Sequence, residues 1–107
     1  MTTIDNSSKI CTLINVFTVE PGKQQALLEH LKEATERVVS KYPGYISANL
    51  HLGDDNITVT NYAQWASLED YQNMLKDPAA LDHLQLAASF AKEFKPVTYT
   101  QIWTHAN

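Results

Sequence analysis

The chain has 107 residues, with 12 acidic and eight basic side chains and a formal charge of −4 at neutral pH. A chain of this length forms one domain that buries a sizeable core without disulfides. The basic residues form no run, which argues against a nucleic-acid-binding surface. The single cysteine, Cys11, cannot form an internal disulfide, and no stretch is long and apolar enough for a signal peptide or a membrane span. These features predict a cytoplasmic protein that binds neither nucleic acid nor membrane.

The first half of the chain predicts a strand, a helix and a second strand. Residues 1–9 are polar and aperiodic, and we expect them to form a disordered or frayed N-terminal tail ahead of a single domain over residues 10–107. β-branched and aromatic residues predict a strand over 10–20. Apolar residues at helical spacing predict a helix over about 23–41, and a Tyr-Pro-Gly sequence ends it before a strand over 45–52.

The second half predicts a hairpin, two helices and a last strand. The turn Gly53–Asn56 is typical of a tight hairpin and leads into a strand over 57–65. A serine followed three residues later by an aspartate then starts a short helix over about 68–76. An Asp-Pro pair starts the next helix, which we expect over about 77–94, and residues 96–105 predict the final strand.

This order of elements predicts an α+β domain of the ferredoxin-like βαββαβ type, an antiparallel sheet with helices on one face. The other face of the sheet would contain Ile14, Val16 and Tyr62, and it is too apolar to remain in water as a large patch. Two copies packed sheet against sheet would cover this face. We therefore expect a homodimer.

Two asparagines interrupt apolar rows of the predicted sheet. Asn61 lies between Val59 and Ala63 on one face of its strand, and Asn15 interrupts the first strand in the same way. A buried amide without partners costs roughly 1–3 kcal/mol, so each asparagine is either a satisfied structural group or a group kept for a ligand. Trp65, at the end of its strand beside a helix start, is either a core anchor or a surface on which a ligand stacks.

Three segments carry a resemblance to a known family: Ile14–Gly22 (INVFTVEPG), Pro43–His51 (PGYISANLH) and Asn61–Trp65 (NYAQW). From Cys11 to Trp103 the chain resembles the antibiotic-biosynthesis monooxygenase (ABM) family of dimeric α+β-barrel proteins. The resemblance implies cofactor-independent oxidation, by O₂, of an electron-rich polycyclic phenol, anthrone or quinol to a quinone. It implies a small aromatic substrate, a homodimer, and neither a metal nor an organic cofactor.

The resemblance also implies roles for individual residues. Asn61 and Trp65 match the central pair of the family, with partners that match Asn15, His51 and Tyr71. The two amides would hold a substrate carbonyl or a nascent peroxide, and the indole would stack on the ring or donate its N–H. His51 or Tyr71 would accept a proton. Of the two, His51 has the ordinary pKa that lies closer to working pH.

Phe17 and Phe90 would contribute to an apolar wall that excludes water. Where some members of the family carry an arginine on the last helix, this chain has Gln85. A surface or dimer-contact role also remains open for His51. His51 lies on the face of its strand opposite the apolar row, together with Tyr45, Ser47 and Asn49.

Two other functions remain open from the sequence. Haem-degrading relatives of the same fold have an asparagine on the first strand and a histidine on a later helix, which Asn15 and His83 would match. They also have a tryptophan in the helix after the central strand, where this chain has Met74. The other alternative is a dimeric small-molecule-binding module without catalysis.

Overall fold

The computed structural model describes residues 1–4 and 9–106, and this part of the chain contains four strands and three α-helices. In chain order the elements are β1 (Cys11–Thr18), α1 (Gln24–Arg37), a 3₁₀ turn (Val39–Lys41), β2 (Tyr45–Leu52), β3 (Thr58–Trp65), α2 (Leu68–Leu75), α3 (Pro78–Ala88) and β4 (Glu93–Tyr99). None of the described helices is long and apolar enough to cross a membrane.

The strands form one antiparallel sheet in the order β2-β3-β1-β4. The ferredoxin-like α+β architecture predicted from the sequence is therefore confirmed. β1 and β3 lie at the centre of the sheet, and their register places Asn15 directly opposite Asn61 and Cys11 opposite Trp65. Side chains alternate across the pleat, so these four residues all face the helices.

Helix α1 packs its apolar stripe on the sheet. Leu27, Leu31 and Ala34 are buried, as the helical spacing predicts, and charged residues occupy the outer side. Leu27 is fully enclosed in a core cluster with Phe17 and Val59, so truncating it to alanine would cost about 2–5 kcal/mol. The α-helix ends at Arg37, and the chain tightens into the 3₁₀ turn before β2.

The two helix starts predicted in the second half of the chain are confirmed. The Ser67 hydroxyl accepts a hydrogen bond from the backbone N–H of Asp70 at 3.1 Å, which caps α2. The Asp77 carboxylate accepts one from the N–H of Ala79 at 3.1 Å and caps α3. The Tyr42 O–H also donates to Asp77, at 2.6 Å, and this bond ties the segment before β2 to the start of α3.

The predicted boundaries of the last helix and strand are wrong. Helix α3 ends at Ala88, because the Ser89 hydroxyl donates to the backbone carbonyl of Leu86 at 2.6 Å and the chain turns. The backbone N–H of Lys92 then donates to the carbonyl of Thr18 at 2.7 Å, so pairing with β1 begins before Pro96. Because β4 is an edge strand, it accommodates this proline, and residues 100–106 form no strand.

The predicted faces of β2 need one correction. A register shift between Tyr45 and Ser47 turns Tyr45 to the helix face, where it lies opposite Trp65. The sequence alternation had placed Tyr45 with Ser47, Asn49 and His51 on the open face. The other three do lie there, since the pairing is regular from Ser47 onward.

The first residues of the chain lie on the open face of the sheet. The Gln64 side chain bonds both to the backbone N–H of Thr3 (3.2 Å) and to its carbonyl (2.7 Å). The hydroxyls of Thr2 and Ser47 are 2.6 Å apart. Thr2 and Thr3 therefore contact the sheet, and the boundary between tail and domain stays a prediction. The rest of the predicted tail includes residues 5–8, which, like residue 107, lie outside the described residues.

Candidate active site

A cavity of about 300 Å³ lies between the helix face of the sheet and the three helices. Strands β1 and β3 form its floor, α1, α2 and α3 its walls and roof, and β2 and β4 its two margins. Five of the residues predicted for the site line this cavity: Asn15, Phe17, Asn61, Trp65 and Tyr71. The fold thus brings together residues from two strands and one helix that are far apart in the sequence.

The lining of this cavity carries no formal charge at neutral pH. Among the described residues that form it there is no aspartate, glutamate, lysine, arginine or histidine. The polar groups are amides, one aliphatic hydroxyl, two phenols and an indole: Asn15, Asn61, Gln85, Thr35, Tyr45, Tyr71 and Trp65. All other lining side chains are apolar, which suits a flat aromatic ligand with few polar substituents.

Asn15 and Asn61 form an amide pair on the floor of the cavity. They face each other across β1 and β3, and the side-chain oxygen of each is buried without a hydrogen-bond partner within residues 1–4 and 9–106. Each buried oxygen without a partner costs roughly 1–3 kcal/mol. Since buried polar groups are nearly always paired in folded proteins, this geometry fits amides kept for a ligand better than satisfied structural amides.

Trp65 forms both part of the core and part of the cavity wall. It is 1% exposed and packs in a cluster with Cys11, Leu13 and Ala63. Its ring lies edge-on to that of Tyr45, with centroids 5.7 Å apart, and tilted against that of Tyr71 at 6.0 Å. This packing is that of a core anchor, and the role of a stacking surface stays a prediction.

The two phenols of the cavity stay protonated at neutral pH. Burial raises the pKa of Tyr71, and the nearby thiol of Cys11 adds to the shift. Burial also raises the pKa of Tyr45, against a smaller opposing effect of a backbone hydrogen bond. A phenol whose pKa lies above its usual value near 10 is a hydrogen-bond donor at working pH and a poor proton acceptor.

The structure does not bring His51 or Phe90 to the cavity. His51 is exposed on the open face of β2, where its ring nitrogen Nδ1 lies 3.1 Å from the carbonyl of Asn49. Phe90 follows the end of α3, is 41% exposed, and stacks on His30 with ring centroids 4.1 Å apart.

Sequence reasoning did not identify Thr35 and Tyr45 as site residues. Thr35 is a polar residue in the apolar stripe of α1, the same signal that singled out the asparagines, and could have been found in that way. Tyr45 could not, because the register shift in β2 leaves no local pattern.

The residues expected for a haem site do not come together. His83 is half-buried on α3 and does not line the cavity that Asn15 lines, whereas Met74 does line it. Within the described ranges, no three histidine, cysteine, aspartate or glutamate side chains lie close enough to hold a metal ion. A depression of about 340 Å³ elsewhere is formed entirely by residues of the outer side of α1, most of them charged.

The fold and the cavity together define a small α+β domain of the ferredoxin-like type, with a ligand-sized, uncharged cavity between its sheet and its helices. The chain is a member of the antibiotic biosynthesis monooxygenase family, which it matches over residues 10–86.

Similar proteins agree with this assignment. The chain is 41% identical over 97 residues to tetracenomycin-F1 monooxygenase of Streptomyces glaucescens, covering 91% of this chain and 86% of that protein. The crystal structure of an N63A mutant of SnoaB, a cofactor-independent oxygenase from Streptomyces nogalater, superposes with a TM-score of 0.80 at 18% identity, covering 91% of this chain and 97% of the other. The ActVA-Orf6 monooxygenase of Streptomyces coelicolor, in complex with nanaomycin D, gives a TM-score of 0.79 at 24% identity, covering 96% of each chain. At these identities the two structures support the fold alone.

Proposed function

We propose that this protein oxidises an electron-rich polycyclic phenol, anthrone or quinol to a quinone with O₂ and without a cofactor. The observation that carries the proposal is the amide pair of Asn15 and Asn61, whose buried oxygens lack partners at the floor of an uncharged, mainly apolar cavity. The 41% identity to a monooxygenase of tetracenomycin F1 supports oxidation of a related kind of compound.

The chemistry requires few protein groups. An ionised anthrone carries its negative charge over carbon and oxygen and transfers one electron to O₂, giving a substrate radical and superoxide. The two combine to a carbon-bound peroxide, which takes up a proton and loses water to leave a carbonyl group. One O₂ thus converts a CH₂ group to a C=O group and releases one water molecule. The protein must bind the ring, stabilise the anionic states and exclude bulk water.

The residues of the cavity are suited to these three tasks. The unpartnered amide oxygens of Asn15 and Asn61 can accept from a substrate hydroxyl, and the N–H groups of the same amides can donate to the oxygen on which charge develops, the role of an oxyanion hole. Trp65, held by its packing against Tyr45 and Tyr71, offers an aromatic edge or face to the substrate ring. Phe17 and the helix side chains close the apolar wall.

Oxygen uptake with a hydroxylated anthrone, measured in the presence of a metal chelator, tests the proposal. We expect Asn61→Ala and Trp65→Phe each to lower kcat/KM by about 10²-fold if these groups stabilise the developing oxyanion. Matched controls are Asn73→Ala, on the exposed side of α2, and Trp103→Phe, in the segment after β4. Both controls should keep full activity. Full activity in Asn61→Ala and Trp65→Phe would remove these residues from the mechanism.

We also propose that the protein works as a homodimer that buries the open face of the sheet. Val16 and Tyr99 on this face are 40% and 45% exposed in a single copy, and no helix covers them. Light scattering at micromolar concentration should give twice the monomer mass. Val16→Glu should shift the mass to the monomer, whereas Lys32→Glu, on the exposed side of α1, should not. A monomeric wild type would refute the dimer and leave the cavity unaffected.

A further inference from the structure

We infer that ligands enter the cavity between α3 and β4, and that Phe94 binds the outermost ring of a linear polycyclic substrate at this entrance. Phe94 thereby sets a preference for larger over smaller ring systems. The inference rests on the proposed function, since it concerns the same aromatic substrate, and makes that function more specific by assigning the residue that recognises substrate length.

The exposed residues of the cavity lining all lie on one side. Four lining residues are exposed, Leu81 and Gln85 on α3 and Phe94 and Pro96 on β4. Every other residue that lines the cavity is buried or half-buried. These four residues therefore surround the opening of the cavity, which we call the mouth.

The mouth exists because the helices leave β4 largely uncovered. Helix α3 packs mainly against α1 and α2, and β4 is the edge strand next to β1. The register places Phe94 beside Phe17 and Pro96 beside Asn15, on the helix face of the sheet. The proposed dimer contact is on the opposite, open face of the sheet, so it leaves the mouth accessible to a ligand.

Phe94 continues an aromatic wall from the interior of the cavity to the surface. Phe17 is 4% exposed, and the ring of Phe94 stacks on its ring with centroids 5.9 Å apart and planes at 28°. Phe94 nevertheless remains 51% exposed. Covering the exposed part of an aromatic ring is favourable, and a second ring covers it best in an offset stack. A flat aromatic ring at the mouth would therefore extend the stack that Phe17 and Phe94 begin.

The cavity is elongated along β1, and only one of its ends is open. The lining runs along this strand from Leu13 to Phe17, about 13 Å at the rise of a strand, which is comparable with the long axis of a linear tricyclic molecule. At the end away from Phe94 the wall contains Trp65 and Tyr71, both buried. A further ring on a substrate that fills the interior therefore has to lie at the mouth, beside Phe94.

Fluorescence quenching by two hydroxylated quinones, one tricyclic and one with a further linearly fused ring, tests the inference without turnover. A Trp103→Phe background leaves Trp65, in the cavity wall, as the sole tryptophan. We expect Phe94→Ala to weaken binding of the tetracyclic quinone about tenfold and of the tricyclic quinone less than about threefold, because the contact with the outermost ring is lost. Phe94→Leu keeps an apolar side chain against Phe17 and should weaken binding of the tetracyclic quinone by about threefold.

The control for these variants is Leu86→Ala. Leu86 is an apolar residue of α3 that is 55% exposed and does not line the cavity, so both dissociation constants should stay unchanged. An equal loss of affinity for both quinones in Phe94→Ala, or no loss for either, would overturn the inference and leave the proposed function standing. If neither quinone quenched Trp65 when Phe94 is intact, the proposed function itself would fail.

Blocking the mouth tests the route of entry. Cys11 is fully buried, so a bulky maleimide should label Gln85→Cys only at the introduced thiol. The label should slow association of both quinones by about tenfold or more, since association requires access to the site. The same label on Asp82→Cys, an exposed position of α3 outside the cavity lining, should leave the association rate unchanged. Unchanged association after labelling of Gln85→Cys would place the entrance elsewhere and overturn the inference.

Discussion

Replacing Asn61 by leucine should make the protein more stable and much less active. The Asn61 side-chain oxygen is buried without a partner in the described part of the chain, and such a group costs roughly 1–3 kcal/mol. Leucine has the same branching as asparagine, needs no hydrogen bond, and would lie here beside Val59 and Ala63 on an apolar row. We expect the free energy of unfolding to rise by about 1–2 kcal/mol, which for a domain of this size raises Tm by about 4–8 °C.

The assay is thermal and denaturant unfolding at fixed protein concentration, since dimerisation would add a concentration-dependent contribution. Asn49→Leu is the matched control on the open face of the same sheet. Its amide donates to the Tyr62 carbonyl at 2.9 Å and to the Thr2 hydroxyl at 2.6 Å, so its loss should lower the free energy of unfolding by about 1–2 kcal/mol. If Asn61→Leu were destabilising to the same extent as Asn49→Leu, Asn61 would be a satisfied structural amide, and the argument for a ligand site would fail.

Three further predictions concern the frame around the site. Gly44→Ala should destabilise the fold by more than Gly22→Ala: both residues have positive φ, but a Cβ at Gly44 would overlap the Asp70 carboxylate, while nothing lies within 4 Å at Gly22; chemical denaturation of the two variants measures the difference. Tyr42→Phe should lower stability at pH 7. The hydrogen bond from Tyr42 holds the pKa of Asp77 below its ordinary 3.8. The stability lost in Tyr42→Phe, measured by unfolding at a series of pH values, should therefore be full above pH 3.8 and vanish as the pH falls through the folded-state pKa of Asp77. Cys11 should react with thiol reagents only on unfolding, because it is fully buried and burial raises its pKa; rapid labelling of the native protein would contradict this.

Local signals in the sequence predicted much of the fold. The caps at Ser67 and Asp77 and the stripe of α1 each depend on residues within one or two helical turns, and the structure has them where the sequence predicts. The boundary between α3 and β4 was wrong because it depends on pairing of Lys92 with the distant Thr18. The face of Tyr45 was wrong because a register shift is a property of two strands together.

The candidate site shows the same division. The alternation of apolar residues singled out Asn15 and Asn61 individually, but only the sheet order makes them neighbours. Phe90 lies after the end of α3 and stacks on His30 of α1, a contact between two elements that no local pattern in the sequence reveals. The sequence also could not predict that the cavity lining is uncharged, because this depends on where the fold places the four histidines.

The register between β1 and β3 determines whether this chain has an amide site at all. Because side chains alternate across the pleat, a slip of one residue in either strand would turn its asparagine to the open face and an apolar residue to the cavity. The register is held at one end by the pair of Cys11 and Trp65, both buried, and at the other by Phe17 opposite Val59. These contacts bury large apolar side chains on the same face as the amides, so their favourable free energy offsets the cost of leaving two amide oxygens without partners. The packing that anchors Trp65 is therefore also what keeps Asn15 and Asn61 opposite each other on the floor of the cavity. Substitutions that loosen either anchor should lower activity even where they do not touch the cavity.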